Sequence, residues 1–199
     1  MLVKNGNAFV NGAFVRADVR IENGKITEVG QLEAQAGEEI RDAEGLYVLP
    51  GFVDIHIHAF GGADCMRGEE HVRRMSAGLI ETGVAAFVPT TMSAYEEETY
   101  QALKSIQAVM DKPEQRGAAV LGAHMEAPFL NREKAGAQRK RYFCDPTMEA
   151  MLTFTGGSLE GVRMITLAPE RDGAEAFTRA MQEAGVVVSL GHTAASAEL

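Results

Sequence analysis

The spacing of apolar and polar residues changes near Tyr47. Before that point, short segments of mixed polarity are separated by three Asn-Gly dipeptides, at Asn5-Gly6, Asn11-Gly12 and Asn23-Gly24. Such dipeptides are typical of two-residue β-hairpin connections. The pattern therefore predicts a small antiparallel sheet in the first 46 residues.

From Tyr47 onward, apolar strand-like runs alternate with segments of helical periodicity. Strands are predicted at 48–57, 85–92, 118–129, 162–170 and 186–193. Ser93 and Glu96 have the spacing of a capping box for the second helix, and Asp145-Pro146 predicts the start of the third. This alternation indicates a parallel α/β architecture.

Five parallel strands define the fold class that we expect for residues 47–199, a partial TIM-like (β/α)8 barrel. An open sheet of this curvature would leave two apolar edges unpaired, so the barrel is predicted to be truncated at Leu199. The alternative is a complete, flavodoxin-like open sheet with helices on both faces.

Composition excludes several classes of protein. The net charge of −9 argues against a nucleic-acid surface, which needs a basic stripe. The chain has neither a run of about 18 apolar residues nor a secretory signal, so we expect a cytoplasmic protein with no membrane span. Cys65 and Cys144 lack a CXXC partner and are predicted to be free thiols. The basic segment 132–141 is a solvated loop or attracts an anionic substrate.

The first barrel strand carries the clearest candidate chemistry. Its sequence, VDIHIH, places His56 and His58 two residues apart, so both imidazoles face the same side of the sheet. Asp54 continues this polar series in an apolar strand. Because three buried polar groups are costly without partners, the series predicts a metal site.

Further candidate ligands stand at the ends of other predicted strands. The third strand ends in His124 and Glu126, and the fifth ends in His192. Strand ends of a barrel converge on one cavity, and imidazole with carboxylate suits zinc, iron, manganese or cobalt. We expect Glu126 and His192 to be ligands, with Glu126 able to bridge two ions, and His124 to donate or accept a hydrogen bond beside them.

Several longer segments carry a family resemblance. PGFVDIHIHAFGG, GAHMEAPFLNREKAGAQ, ITLAPE and VSLGHTAAS, in this order and spacing, resemble the N-acetylglucosamine-6-phosphate deacetylases of the amidohydrolase superfamily. The resemblance implies that residues 1–46 belong to a small β-sandwich domain and that residues 47–199 are the first part of a distorted (β/α)8 barrel. It implies hydrolysis of N-acetylglucosamine 6-phosphate to glucosamine 6-phosphate and acetate, one or two divalent ions with zinc as the first choice, and a homodimer.

The resemblance also assigns roles to individual positions. His56 and His58 match the ligands of one metal position, and Glu126 and His192 match those of the other. Ala137 and Gln138 match a loop that touches the sugar. Two positions depart from the family pattern: Gln138 stands where histidine is frequent, and Ala127 stands where glycine is usual.

The family continues beyond Leu199 with a catalytic aspartate that protonates the departing amine. No catalytic residue of that kind is assigned within this chain, so we expect the 199 residues alone to be inactive. Two other readings stay open: a different amidohydrolase acting on a cyclic amide or an N-acyl amino acid, and a truncated, non-catalytic module.

Overall fold

The computed structural model describes residues 1–114 and 116–198. The chain divides into two compact units, Met1–Pro50 and a second that begins at Gly51. The strands are β1 (Leu2–Val10), β2 (Ala13–Glu22), β3 (Lys25–Gly30), β4 (Ile40–Asp42), β5 (Tyr47–Val48), β6 (Phe52–Ile57), β7 (Ala59–Phe60), β8 (Ala63–Asp64), β9 (Val84–Thr91), β10 (Ala119–Val120), β11 (Ala123–Met125), β12 (Val162–Leu167) and β13 (Val187–Leu190). The α-helices are α1 (Glu69–Leu79), α2 (Glu96–Asp111), α3 (Met148–Phe154) and α4 (Ala174–Glu183).

The first unit is a mixed five-stranded sheet. Strands β1, β2 and β3 form the antiparallel hairpins predicted from the sequence, with turns at Asn11-Gly12 and Asn23-Gly24. Both asparagines have positive φ, of 51° in each case, as a turn of this type requires. The short strands β4 and β5 then add to β1 in parallel, which the turn pattern did not predict.

The dipeptide Asn5-Gly6 does not form the predicted hairpin turn. It lies inside β1, where the register with β2 shifts between Val3 and Gly6 and Asn5 takes φ 64°. The backbone N–H of Asn5 donates to Asp18 Oδ1 at 2.8 Å. A side chain at Gly6 would collide with Val48 Cγ2. Asn5 and Gly6 therefore form a β-bulge where the chain passes close to Val48.

The second unit contains one sheet of parallel strands. Strand β9 pairs with β6 and with both β10 and β11, β11 pairs with β12, and β12 pairs with β13. The predicted third strand is thus interrupted between β10 and β11, and the other four are present. The spatial order follows the chain order, as in a half-barrel, whereas a flavodoxin-like sheet reverses direction at a switch point. The predicted barrel class is confirmed.

The helices pack against this sheet around one apolar core. Its fully buried side chains include Met75, Phe87, Ile106, Met151 and Met181. This arrangement brings the carboxyl ends of the parallel strands to one edge. Within the described residues, no helix is both long and apolar enough to cross a bilayer.

Two predicted helix starts are wrong in detail. Helix α2 begins at Glu96 without a side-chain cap, because Ser93 Oγ accepts from the backbone N–H of Arg139 at 2.6 Å. Helix α3 begins at Met148, where Thr147 Oγ1 caps the N–H of Ala150 at 3.1 Å. The hydroxyl of Ser93 thus binds the loop that contains Arg139 and does not cap helix α2.

Candidate metal centre

The two histidines of the first barrel strand lie side by side. His56 is in β6, His58 follows its end, and their Nε2 atoms are 3.3 Å apart. Their rings are perpendicular, with centroids 5.0 Å apart. Asp54, in contrast, turns its carboxylate to the backbone, where Oδ1 accepts from the N–H of His56 at 3.0 Å. The local pattern thus yields two imidazoles for the site, while Asp54 supports the strand end.

Glu126, which follows β11, faces both imidazoles. Its Oε1 lies 3.4 Å from His56 Nε2 and its Oε2 lies 3.2 Å from His58 Nε2. Two ligand atoms that are each about 2.05 Å from a tetrahedral zinc ion stand about 3.3 Å apart. One ligand atom from each of these three residues lies within 4.8 Å of the others, so the set has the composition and spacing to hold a divalent ion.

His192 reaches the same carboxylate from the end of β13. Its Nε2 lies 3.0 Å from Glu126 Oε1. The side chain is partly exposed, whereas Glu126 is buried. Glu126 is therefore common to the His56–His58 pair and to His192, as a carboxylate between two metal positions would be.

Backbone carbonyls orient two of the imidazoles. His58 Nδ1 donates to Thr90 O at 2.8 Å, and His192 Nδ1 donates to Lys134 O at 2.7 Å. Because a carbonyl oxygen only accepts, these bonds place the proton on Nδ1 of the neutral ring and present Nε2 to Glu126. This is the orientation that metal-binding histidines adopt in proteins.

The electrostatics of the cluster favour a bound cation. Burial raises the pKa of Glu126. When the imidazoles carry a second proton, on Nε2, hydrogen bonds from His58 and His192 and the charges of His58 and His56 outweigh burial and hold the pKa of Glu126 at about 2. The hydrogen bond to Glu126 in turn raises the pKa of His58. A carboxylate and a neutral Nε2 are both acceptors, so they repel each other unless a proton or a metal ion lies between them.

His124 lies beside the cluster as a buried neutral group. Its ring stands perpendicular to that of His56, with centroids 5.0 Å apart. His124 Nδ1 contacts Ile55 O at 3.1 Å and Nε2 contacts Thr166 Oγ1 at 2.7 Å. Burial lowers the pKa of His124 to about 4. With both ring nitrogens engaged, His124 packs against His56 and helps to set its orientation.

The loop expected to touch a sugar contacts Glu126 in the structure. Ala137 is exposed, but Gln138 is buried. Gln138 Oε1 accepts from the N–H of Ser93 at 2.7 Å, and Gln138 Nε2 donates to Glu126 Oε2. Both polar ends of the amide are therefore used inside the protein.

The methyl group of Ala127, at a position where the family usually has glycine, is accommodated by packing. Ala127 is buried in a small apolar cluster with Leu130, Ala135 and Phe143. Further along the same loop, Gly136 has φ 55°. A Cβ added at Gly136 would meet His192 Cε1 at 3.4 Å. The loop thus lies directly against the His192 ring.

Sequence reasoning did not identify the groups that support the candidate ligands. The carbonyls of Thr90 and Lys134 carry no residue-specific signal, because any residue has a backbone carbonyl. Glu170 was visible in the segment ITLAPE as a carboxylate at a strand end, yet its partners come from other loops. Such contacts become apparent only from the fold.

Parallel strands with imidazoles and a carboxylate at their carboxyl ends form a half-barrel with a candidate metal site, an arrangement that suits a metal-dependent hydrolase. No protein-family model matches the chain. Among curated proteins, it is similar to the N-acetylglucosamine-6-phosphate deacetylases of Bos taurus, with 33% identity over 195 residues, and of Lysinibacillus sphaericus, with 32% identity over 189 residues. Over most of its length the chain is thus similar to the N-acetylglucosamine-6-phosphate deacetylases, as its motifs predicted.

The match covers most of this chain but only part of its relatives. It includes 92% of this chain and 47% of the bovine protein, and 94% and 49% for the Lysinibacillus protein. The chain thus spans about half the length of the curated relatives that it matches.

Solved structures agree with the sequence comparison. The deacetylase of Thermotoga maritima has a TM-score of 0.79 at 28% identity, over 97% of this chain and 49% of that protein. The Mycobacterium smegmatis deacetylase has a TM-score of 0.79 at 26% identity, over 98% and 55%. A D-hydantoinase, with a TM-score of 0.52 at 19% identity over 92% and 43%, shares the fold alone.

Proposed function

We propose that this chain forms the metal-binding part of an enzyme that removes the acetyl group of N-acetylglucosamine 6-phosphate, giving glucosamine 6-phosphate and acetate. The observation that carries the proposal is the single Glu126 carboxylate shared by His56, His58 and His192 at the strand ends. A structure of a Mycobacterium smegmatis deacetylase mutant in complex with N-acetyl-D-glucosamine-6-phosphate supports this choice of substrate; it has a TM-score of 0.77 at 26% identity.

The proposed metal ligands divide between two positions. His56 and His58 would hold one ion and His192 the other, with Glu126 available to both. Zinc is our first choice because imidazole nitrogen and carboxylate oxygen suit it, and iron, manganese or cobalt would fit the same donors. When bound, such an ion polarises a carbonyl oxygen and lowers the pKa of water.

The residues of the chain have distinct tasks in this proposal. The carbonyls of Thr90 and Lys134 keep the Nε2 atoms of His58 and His192 directed at Glu126. We assign substrate contact to the pair Ala137 and Gln138. The exposed Ala137 would meet the sugar, and the buried Gln138 would hold the loop against Glu126. The exposed basic side chains of the same loop would attract a phosphorylated sugar: Arg132, Lys134, Arg139, Lys140 and Arg141.

The remaining assignments rest on the family resemblance. Protonation of the departing amine belongs to an aspartate that the resemblance places outside these 199 residues, so we expect the chain alone not to release acetate. A homodimer and a cytoplasmic location are part of the same proposal.

Joining this chain to a known deacetylase tests the function directly. The chain replaces the matching part of the Bacillus subtilis deacetylase, to which it is 31% identical over 186 residues. We expect the chimera to release acetate from N-acetylglucosamine 6-phosphate, and the Glu126→Gln chimera to lose this activity. Glu133→Gln, an exposed carboxylate in the following loop, is the matched control and should retain it.

Two outcomes of this experiment would reject the proposal. One is a folded, zinc-binding chimera that hydrolyses a cyclic amide or an N-acyl amino acid in preference to the phosphorylated sugar. The other is a Glu126→Gln chimera as active as the unmodified one. The 199-residue chain, prepared from a host that lacks its own deacetylase, is assayed in parallel, and acetate release by it would contradict its expected inactivity.

A further inference from the structure

Glu170 joins three loops at the carboxyl edge of the barrel sheet. Its Oε1 accepts from Asn131 Nδ2 and from the backbone N–H of Ala194, both at 2.7 Å, and its Oε2 accepts from Thr193 Oγ1. Asn131 follows β11, Glu170 follows β12, and Thr193 with Ala194 follows β13. Burial raises the pKa of Glu170, but these hydrogen bonds outweigh it and lower the pKa to about 2, so the carboxylate is ionised.

The loop that Glu170 holds is the one that carries His192. Thr193 and Ala194 come directly after it, and the N–H of Asn131 donates to His192 O at 3.1 Å. His192 itself has φ 50°. This left-handed conformation is unfavourable for a residue with a Cβ and persists only where surrounding contacts impose it. The two neighbours bound to Glu170 and the carbonyl bound to Asn131 are such contacts.

Asn131 also connects Glu170 to the group that orients the imidazole. Asn131 Oδ1 accepts from the N–H of Glu133 at 2.7 Å and so caps the short 3₁₀ helix Arg132–Lys134. That helix ends at Lys134, whose carbonyl accepts from His192 Nδ1. Glu170 therefore acts on both sides of His192: directly on the chain that follows it, and through Asn131 on the acceptor of its Nδ1 proton.

We propose that Glu170 is a positioning residue, which fixes the backbone of His192 so that its Nε2 faces Glu126. The inference rests on the proposed function, in which His192 is a metal ligand. Glu170 acts through Thr193, Ala194 and Asn131 and is not itself assigned as a ligand. An acceptor-only carboxylate suits this position because all three of its partners donate.

Zinc affinity and amide exchange test the proposal together. Glu170→Gln keeps the size of the side chain but brings an amide NH2 against donors. We expect zinc affinity, measured by competition with a chromophoric chelator, to fall about 10- to 100-fold, as is typical for partners of metal ligands. In the metal-free protein, the Ala194 amide should exchange with solvent faster. Asp172→Asn, an exposed carboxylate two residues away, is the matched control and should change neither quantity.

The outcomes separate this inference from the proposed function. A folded Glu170→Gln chain that binds zinc within about twofold of the unmodified chain, while His192→Ala binds weakly, overturns the role of Glu170 and leaves the metal centre intact. If His192→Ala binds zinc as tightly as the unmodified chain, the proposed role of His192 fails, and the inference fails with it. If Glu170→Gln does not fold, Thr193→Val decides: an affinity lowered about tenfold supports the inference and an unchanged one overturns it.

Discussion

Glu126 Oε1 lies 3.0 Å from His192 Nε2, although the two residues are 66 positions apart in the chain. The contact joins the ends of the third and fifth strands of the half-barrel across β12. Because parallel strands place their carboxyl ends at one edge, residues that are distant in sequence meet there.

Glu126→Gln tests the centre of the metal cluster. The substitution keeps the shape of the side chain but removes the negative charge that three imidazoles share. We expect zinc affinity to fall by on the order of 100-fold or more, since loss of an outer partner alone typically costs 10- to 100-fold. Competition with a chromophoric chelator measures it, and Glu133→Gln serves as the control. Equal affinities for the two variants would contradict the assigned site.

The stability of the second unit should depend strongly on Phe129. This side chain is fully buried, and its ring packs edge-on against Phe177 with centroids 4.8 Å apart. Phe129→Ala is expected to lower the free energy of unfolding by about 3–5 kcal/mol. Phe52→Ala, at a residue 58% exposed, should change it by less than about 0.5 kcal/mol. Urea unfolding of the two variants makes the comparison, and similar losses would argue against this core.

The stability of the first unit should depend on pH through Asp18. Its buried carboxylate accepts from the N–H of Leu32 at 3.0 Å and of Asn5 at 2.8 Å, and these bonds lower its pKa below the ordinary 3.8. A carboxylate whose pKa is lower in the folded state than in the unfolded state stabilises the protein at pH values above its ordinary pKa. This contribution is lost as the pH falls through the folded-state pKa. Asp18→Asn should therefore cost about 2 kcal/mol near neutral pH and progressively less below about pH 4.

Unfolding of this variant at neutral and acidic pH measures the effect. Glu22→Gln, an exposed carboxylate on the same strand, provides the control for a change of charge alone. A loss that stayed constant with pH would show that the ionised form of Asp18 is not what stabilises the sheet.

Both cysteines should react slowly in the folded chain. Burial raises the pKa of Cys65 to about 12 and that of Cys144 to about 11, from an ordinary 9.0. Cys65 Sγ also donates to Thr90 O at 3.0 Å. Because the thiolate is the reactive form and its nucleophilicity rises only partly with pKa, Cys144 should react about 10-fold more slowly than a free cysteine near pH 8, and Cys65 more slowly still. Titration with a thiol reagent should reveal both thiols on unfolding; rapid reaction of either in the native chain would refute this.

Much of the fold could be predicted because its signals are local. The turns at Asn11-Gly12 and Asn23-Gly24 and the alternation of strands and helices depend on neighbouring residues, and the structure contains them. Asn5-Gly6 carries the same dipeptide signal but forms a bulge, because Asp18 binds its backbone from the next strand. A local preference was overruled there by a partner distant in sequence.

The groups at the strand ends follow from the amino-acid sequence. The two-residue period of a strand puts His56 and His58 on one face, and the alternation of strands and helices predicts parallel strands that bring Glu126 and His192 to the same edge. The contacts that hold these groups in place depend instead on how the whole chain folds. Two side chains join loops that follow different strands. Gln138 contacts Ser93 and Glu126. Glu170 contacts Asn131, Thr193 and Ala194. Their partners depend on the register and curvature of the whole sheet, which no short stretch of sequence encodes.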